Sequence, residues 1–124
     1  MLRAATRGMA ANGEMEKALD ADPDSPRVIL AEGISLYFRP SAFGGDKQRA
    51  KQRIAEALEN FTRYQPARED GPVWGEAEAW LYLARIARDE GNDAVALESF
   101  GRSLSTAPYF KAAQTEFADY LSER

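Results

Sequence analysis

Two consecutive stretches of this chain place apolar residues at the spacing of a helix face, with a glycine between them. Trp80, Leu83, Ala84 and Ala87 stand at i, i+3, i+4 and i+7, which is one stripe of an amphipathic helix. Ala96, Phe100, Ser103 and Leu104 make a second stripe after Gly91. A glycine at that point suits the left-handed residue that ends a helix, and Asn92 or Asp93 suits the cap of the next one. Helices joined by so short a turn lie antiparallel and side by side. Small residues opposite large ones then let the two backbones approach closely. A helical hairpin over about residues 73–106 is the expected unit.

The same punctuation recurs along the chain and predicts six helices. The first covers about 2–21 and stops before Pro23. The second opens at Ser25-Pro26, a cap followed by proline at the first helical position, and ends near Phe38 ahead of Pro40. Gly44 and Gly45 make a loop, with Asp46 as the N-cap of a third helix over about 47–62. After a polar connection at 65–72, a fourth runs from about 73 to Gly91. The fifth, about 93–106, stops before Pro108, and the sixth covers about 109–122. Long alternation of apolar and polar residues is missing, so strands are not expected.

Composition narrows the classes. At 124 residues the chain suits one domain. No apolar run reaches the roughly 20 residues of a spanning helix, so no membrane insertion is expected. A net charge of −4 opposes nucleic-acid binding, which needs a clustered basic surface. The chain has neither Cys nor His. That removes disulfides, thiolate nucleophiles, Cys/His zinc sites and the commonest proton shuttle near neutrality. No metal, cofactor or catalytic residue is expected, and the chain is read as a non-enzyme. Residues 1–13 lack the apolar core of a secretory signal. The expected compartment is the cytoplasm, or the periplasm if a leader precedes Met1.

Residues 79–108 closely resemble one tetratricopeptide repeat. Trp80 takes the first bulky position, Leu83 and Ala84 the large-small pair, and Ala87 the last buried place of the first helix. Gly91 makes the turn, and Ala96, Phe100 and Pro108 fill the remaining places. Ser103 stands where the family usually has alanine. Ile29, Gly33 and Leu36, followed by Ala50, Ile54, Ala57 and Leu58, make a weaker copy, in register once about five residues near Phe43-Gly44-Gly45 count as an insertion. Met15, Ala18, Leu19 and Pro23 are a third trace. Pro40-Ser41-Ala42-Phe43-Gly44-Gly45-Asp46 together with Trp74-Gly75 is also similar to a group of small bacterial repeat proteins. The resemblance implies an all-α fold of about six helices, stacked as a short right-handed solenoid in a single domain. Residues 1–24 would be a partial repeat, 25–64 a degenerate repeat with the inserted loop, 77–110 the best repeat and 109–124 a capping helix.

The resemblance also implies a concave surface that binds a protein or peptide, lined by first-helix residues off the packing stripe. Here those are Arg27, Leu30, Ile34 and Tyr37, then Glu78, Leu81, Arg85 and Arg88. Arg85 and Arg88 at i, i+3 can face one carboxylate or phosphate, although Arg85 also stands four residues before Asp89 and can pair with it. Relatives that grip acidic chaperone tails use Lys and Asn at such places. Leu30 and Leu81 replace members of that set, so that specificity does not carry over.

Other features have readings of their own. Lys47, Arg49, Lys51 and Arg53 split between two helix faces and read as solvated. Phe43-Gly44-Gly45-Asp46 lacks the Gly-Lys-Ser/Thr ending of a nucleotide loop and reads as a corner with Phe43 packed inward. Most of Trp74, Trp80, Tyr82, Tyr109, Phe110, Phe117 and Tyr120 should be core. Ala113, Phe117, Ala118 and Leu121 form the inner stripe of the last helix, with Glu116 and Asp119 on a solvating outer face. Glu76, Glu78, Asp89 and Glu90 read as helix-surface and turn charges. Two alternatives to peptide binding remain. One is a small-ligand carrier with Trp74, Tyr82 and the Phe43 loop around a pocket. The other is a self-associating structural subunit, a possible homodimer with its exposed end covered by a mate.

Overall fold

The computed structural model of the chain describes residues 17, 21, 23–63 and 75–123. Among them are five α-helices and no strand: α1 (Pro26–Phe38), α2 (Lys47–Arg63), α3 (Glu76–Glu90), α4 (Asp93–Thr106) and α5 (Lys111–Ser122), with a 3-10 turn at Ser41–Phe43. Five helices thus stand among the described residues where the sequence predicts six. The helix expected over 2–21 lies outside them, except for Lys17 and Ala21, which are both helical. The connection at 65–72 and Trp74 also lie outside.

Local chemistry sets the helix ends. Pro26 occupies the first turn of α1, but the Ser25 hydroxyl makes no capping bond, contrary to expectation. The Ser25 carbonyl instead accepts the Ile29 N–H at 3.0 Å. Arg39 is extended ahead of Pro40, the conformation that proline imposes on its predecessor. Asp46 caps α2, with Oδ1 accepting the N–H groups of Gln48 and Arg49 at 2.9 and 3.1 Å. At the start of α3 the Glu78 carboxylate turns back to accept the Gly75 N–H at 2.5 Å. Gly91, at φ 74°, ends α3, and the Asn92 N–H reaches the Ala87 carbonyl at 2.8 Å. Asn92, rather than Asp93, caps α4.

The helices pack as stacked antiparallel pairs. In α1, Ile29, Gly33 and Leu36 face Ala50, Ile54 and Ala57 of α2, all buried. Gly33 is the point of closest approach, since a Cβ there would lie 2.7 Å from Ile54 Cγ1. Asn60 of α2 reaches back to the Asp24 carbonyl at 3.0 Å. In the second pair Ala84 and Ala87 face Ala96 and Phe100. The Ser103 hydroxyl donates to the Ala77 carbonyl at 2.8 Å, a bond that alanine cannot make.

The middle helix serves two cores. Ala79 and Ile86 of α3 join the core with α1 and α2. Leu81, Ala84 and Ala87 join the other with α4 and α5. The single stripe read from Trp80, Leu83, Ala84 and Ala87 is therefore incomplete, with Trp80 and Leu83 only half-buried. In α5 the buried positions are Ala113 and Tyr120, while Phe117 stacks on Phe100 at 5.2 Å between ring centroids. Ala118 and Leu121, expected inside, are exposed. Tyr120 takes the inner place because its ring packs near Phe100 and its hydroxyl donates to Asp93. Tyr109 is 93% exposed and is not core.

Candidate functional site

The ends of α1 and α3 bring three rings together. Tyr37 and Phe38 lie edge-on to Tyr82, with centroids 5.7 and 5.8 Å away. Such edge-to-face contacts keep ring edges against π faces and fix the rings' orientation. Charged groups border the cluster. The Tyr37 hydroxyl donates to Asp89 Oδ2 at 3.2 Å. Lys47, from the start of α2, stands 5.6 Å from the Tyr37 centroid and 3.7 Å from Asp89. The Arg85 guanidinium lies 4.8 Å from the Tyr82 centroid.

Arg85 also binds α5. Its Nε and Nη2 donate to the two Glu116 oxygens at 2.8 and 2.5 Å, a fork-to-fork pairing whose geometry favours arginine. Arg88 is 3.6 Å from Glu116 and 3.7 Å from Asp89. Donation from Arg85 holds the Glu116 carboxyl below its ordinary range. The same hydrogen bond raises the Arg85 pKa against the opposing effect of burial. Burial, followed by the Asp89 charge and hydrogen bond, raises that of Tyr37. Side chains of α1, α3 and α5 thus meet on one side of the molecule, with Asp89 and Glu116 as the carboxylates that bind them together.

Tyr37, Arg85 and Arg88 are the sequence-predicted site residues that this arrangement unites. Leu30 and Leu81 are 3% and 2% exposed and belong to the two cores, so neither lines an open surface. Ile34 is half-buried against the first core, and Glu78 closes the start of α3. Arg27 is exposed in the first turn of α1, about 15 Å of helix from Tyr37. Arg85 pairs with Glu116 and not with Asp89, and Glu116 is an interhelix partner, not a solvating charge. Tyr82, Asp89, Glu116, Phe38 and Lys47 were not foreseen in this role. Tyr37 and Asp89 are 52 residues apart and Arg85 and Glu116 are 31 apart, so no local spacing signals either pair.

Phe43, expected inside, is 70% exposed, and the pocket expected from Trp74, Tyr82 and the Phe43 loop includes Trp74, which lies outside the described residues. An open depression of about 660 Å³ lies instead at the α1–α2 corner, lined by Tyr37–Lys47 residues that exclude Phe43 and Tyr82. The Asp46 carboxylate fills the N-terminus of α2 where a phosphate would sit. Among the described residues, no group of three or more His, Cys, Asp or Glu side chains gathers as metal ligands. None of the described helices is long and apolar enough to cross a membrane. No family model, curated protein or solved structure matches the chain.

Proposed function

We propose that the chain is a tetratricopeptide-type interaction module that binds a protein or peptide segment along the side formed by α1, α3 and α5, without catalysis. The observation that carries this reading is the cross-helix cluster of Tyr37, Phe38 and Tyr82 bordered by Lys47, Arg85 and Arg88. Rings with few rotatable bonds, flanked by guanidinium groups, are the residue types that dominate binding energy at protein interfaces. The register supports the repeat reading. Gly33, Leu36, Ala50, Ile54 and Ala57 of one hairpin and Ala84, Ala87, Ala96, Phe100 and Ser103 of the next are buried at equivalent places.

Arg85 is already engaged by Glu116, so Arg88 and the rings are the more available contacts. The Glu116 and Asp89 carboxylates on the same side make the surface mixed in charge, which favours a ligand with both apolar and charged side chains. A peptide-display library panned on the immobilised protein tests the proposal. The parent should enrich a shared motif, and Tyr82→Ala and Arg88→Glu should each abolish it with the helical circular dichroism unchanged. Failure of the parent to enrich any motif, or the same motif from both variants, overturns the reading.

A further inference from the structure

We propose that Glu116 is a positioning residue for the binding side: acting through Arg85, it fixes the ring of Tyr82 and so holds Tyr37, Phe38 and Tyr82 in order before a partner arrives. This role rests on the function proposed above and deepens it, since it gives α5 a part in binding as well as in the second core. A ring that must be immobilised when a partner binds costs affinity, and one immobilised beforehand does not.

The contacts form a relay. Both Glu116 oxygens accept from Arg85, at 2.8 and 2.5 Å, and such a fork fixes the plane of the guanidinium as well as its place. The guanidinium carbon lies 4.8 Å from the Tyr82 centroid, within reach of a cation–π contact. Tyr82 in turn lies edge-on to Tyr37 and Phe38. On the other flank the Tyr37 hydroxyl donates to Asp89, and Arg88 stands 3.7 Å from Asp89 and 3.6 Å from Glu116. Tyr37, Tyr82, Arg85, Glu116, Arg88 and Asp89 thus close into a ring of contacts, and Glu116 is its member from α5. Phe38 is 63% exposed and leans on Tyr37 and Tyr82, so order in Tyr82 passes to it.

The docking of α5 does not pass through Glu116. Ala113 is buried, Phe117 stacks on Phe100, and the Tyr120 hydroxyl reaches Asp93. Glu116→Ala therefore releases Arg85 while α5 stays in place, and Glu116→Gln replaces it if the alanine variant does not fold. In the free parent protein the Tyr82 ring should give a nuclear Overhauser cross-peak to the Arg85 δ-methylene. Glu116→Ala should lose that peak and keep the one between Phe100 and Phe117. The peptide most enriched by panning on the parent, labelled and titrated by anisotropy, should bind Glu116→Ala about three- to tenfold more weakly. With Arg85→Ala already in place, Glu116→Ala should weaken binding no further. Exchanging the pair, Arg85→Glu with Glu116→Arg, should restore stability in urea but not the affinity.

An unchanged Tyr82–Arg85 peak in Glu116→Ala, or equal peptide binding by that variant, overturns the positioning role. Affinity regained in the exchanged pair overturns it too, because Glu116 would then be a tie between helices and nothing more. So does tighter binding by Glu116→Ala, which would make Glu116 a competitor for Arg85. A parent that enriches no motif overturns the proposed function and this role with it, whereas a parent that binds its peptide no better than Glu116→Ala does overturns this role alone.

Discussion

The two hairpins, α1–α2 and α3–α4, bury the same places with different side chains. In the first, a glycine, Gly33, receives Ile54. In the second, Ala84 and Ala87 share their core with the larger Phe100. The first core is wholly apolar at Ala57, while the second has a hydroxyl at the equivalent Ser103, bonded to Ala77. The connections differ more than the cores. A Gly-Asn turn closes the second pair, whereas a corner with Phe38 and Phe43 exposed closes the first. Packing thus fixes which positions must be filled, within the volume that neighbouring helices leave. The connection is freer to vary, and it is where apolar rings stand in solvent.

Substitutions at matched places sharpen or break this comparison. Phe100→Ala should cost about 3–5 kcal/mol in urea unfolding, because it removes the largest fully buried side chain among the described residues. Ile54→Ala should cost less, about 2–3 kcal/mol. Equal costs would show that the two sites are not filled to different sizes. Gly33→Ala puts a methyl group 2.7 Å from Ile54 Cγ1 and 3.3 Å from the Ala50 carbonyl. Overpacking outweighs the gain in helix propensity, for a net loss of about 1–2 kcal/mol. In an Ile54→Ala background, which removes that Cγ1 atom, Gly33→Ala should cost less than in the parent, and an undiminished cost would place the clash elsewhere.

Ser103→Ala should cost about 1 kcal/mol, the net worth of one hydrogen bond. An unchanged midpoint would mean that the Ser103–Ala77 hydrogen bond adds no net stability. The smallest effect is at Glu116. Its pKa is lowered on folding, so its contribution is present at neutral pH and is lost as pH falls through the acid range below the ordinary glutamate value. The pair is partly solvated, so Glu116→Gln should cost below about 1 kcal/mol at pH 7. Parent and variant should converge in acid, and a difference that persists there would assign the effect to something other than charge.

Helix positions were the most legible part of the sequence. Pro26, Asp46, Gly91 and Pro108 act through local backbone chemistry, which a linear reading captures. The inner stripes of α1, α2 and α4 were legible too, because each of those helices turns a single main face to its partner. The α3 stripe was read as one because a period of 3.6 residues cannot show that Leu83 turns to one core and Ala84 to the other. Leu81 was placed on an open surface for the same reason, whereas Leu30 joins the core of its own α1 stripe from beside it. The charge pairs that organise the candidate site join helices far apart in sequence. Only the stacking of the hairpins brings Arg85 to Glu116 and Tyr37 to Asp89.

That stacking is the central claim, and ring-to-ring nuclear Overhauser contacts test it most directly. The rings of Tyr37 and Phe38, in the first hairpin, should give cross-peaks to the ring of Tyr82, in the second. Phe100 and Phe117 should give their own cross-peak as an internal control. If Tyr82 shows contacts only within its own hairpin while the Phe100–Phe117 peak is present, α1 and α3 do not share a surface and the account fails.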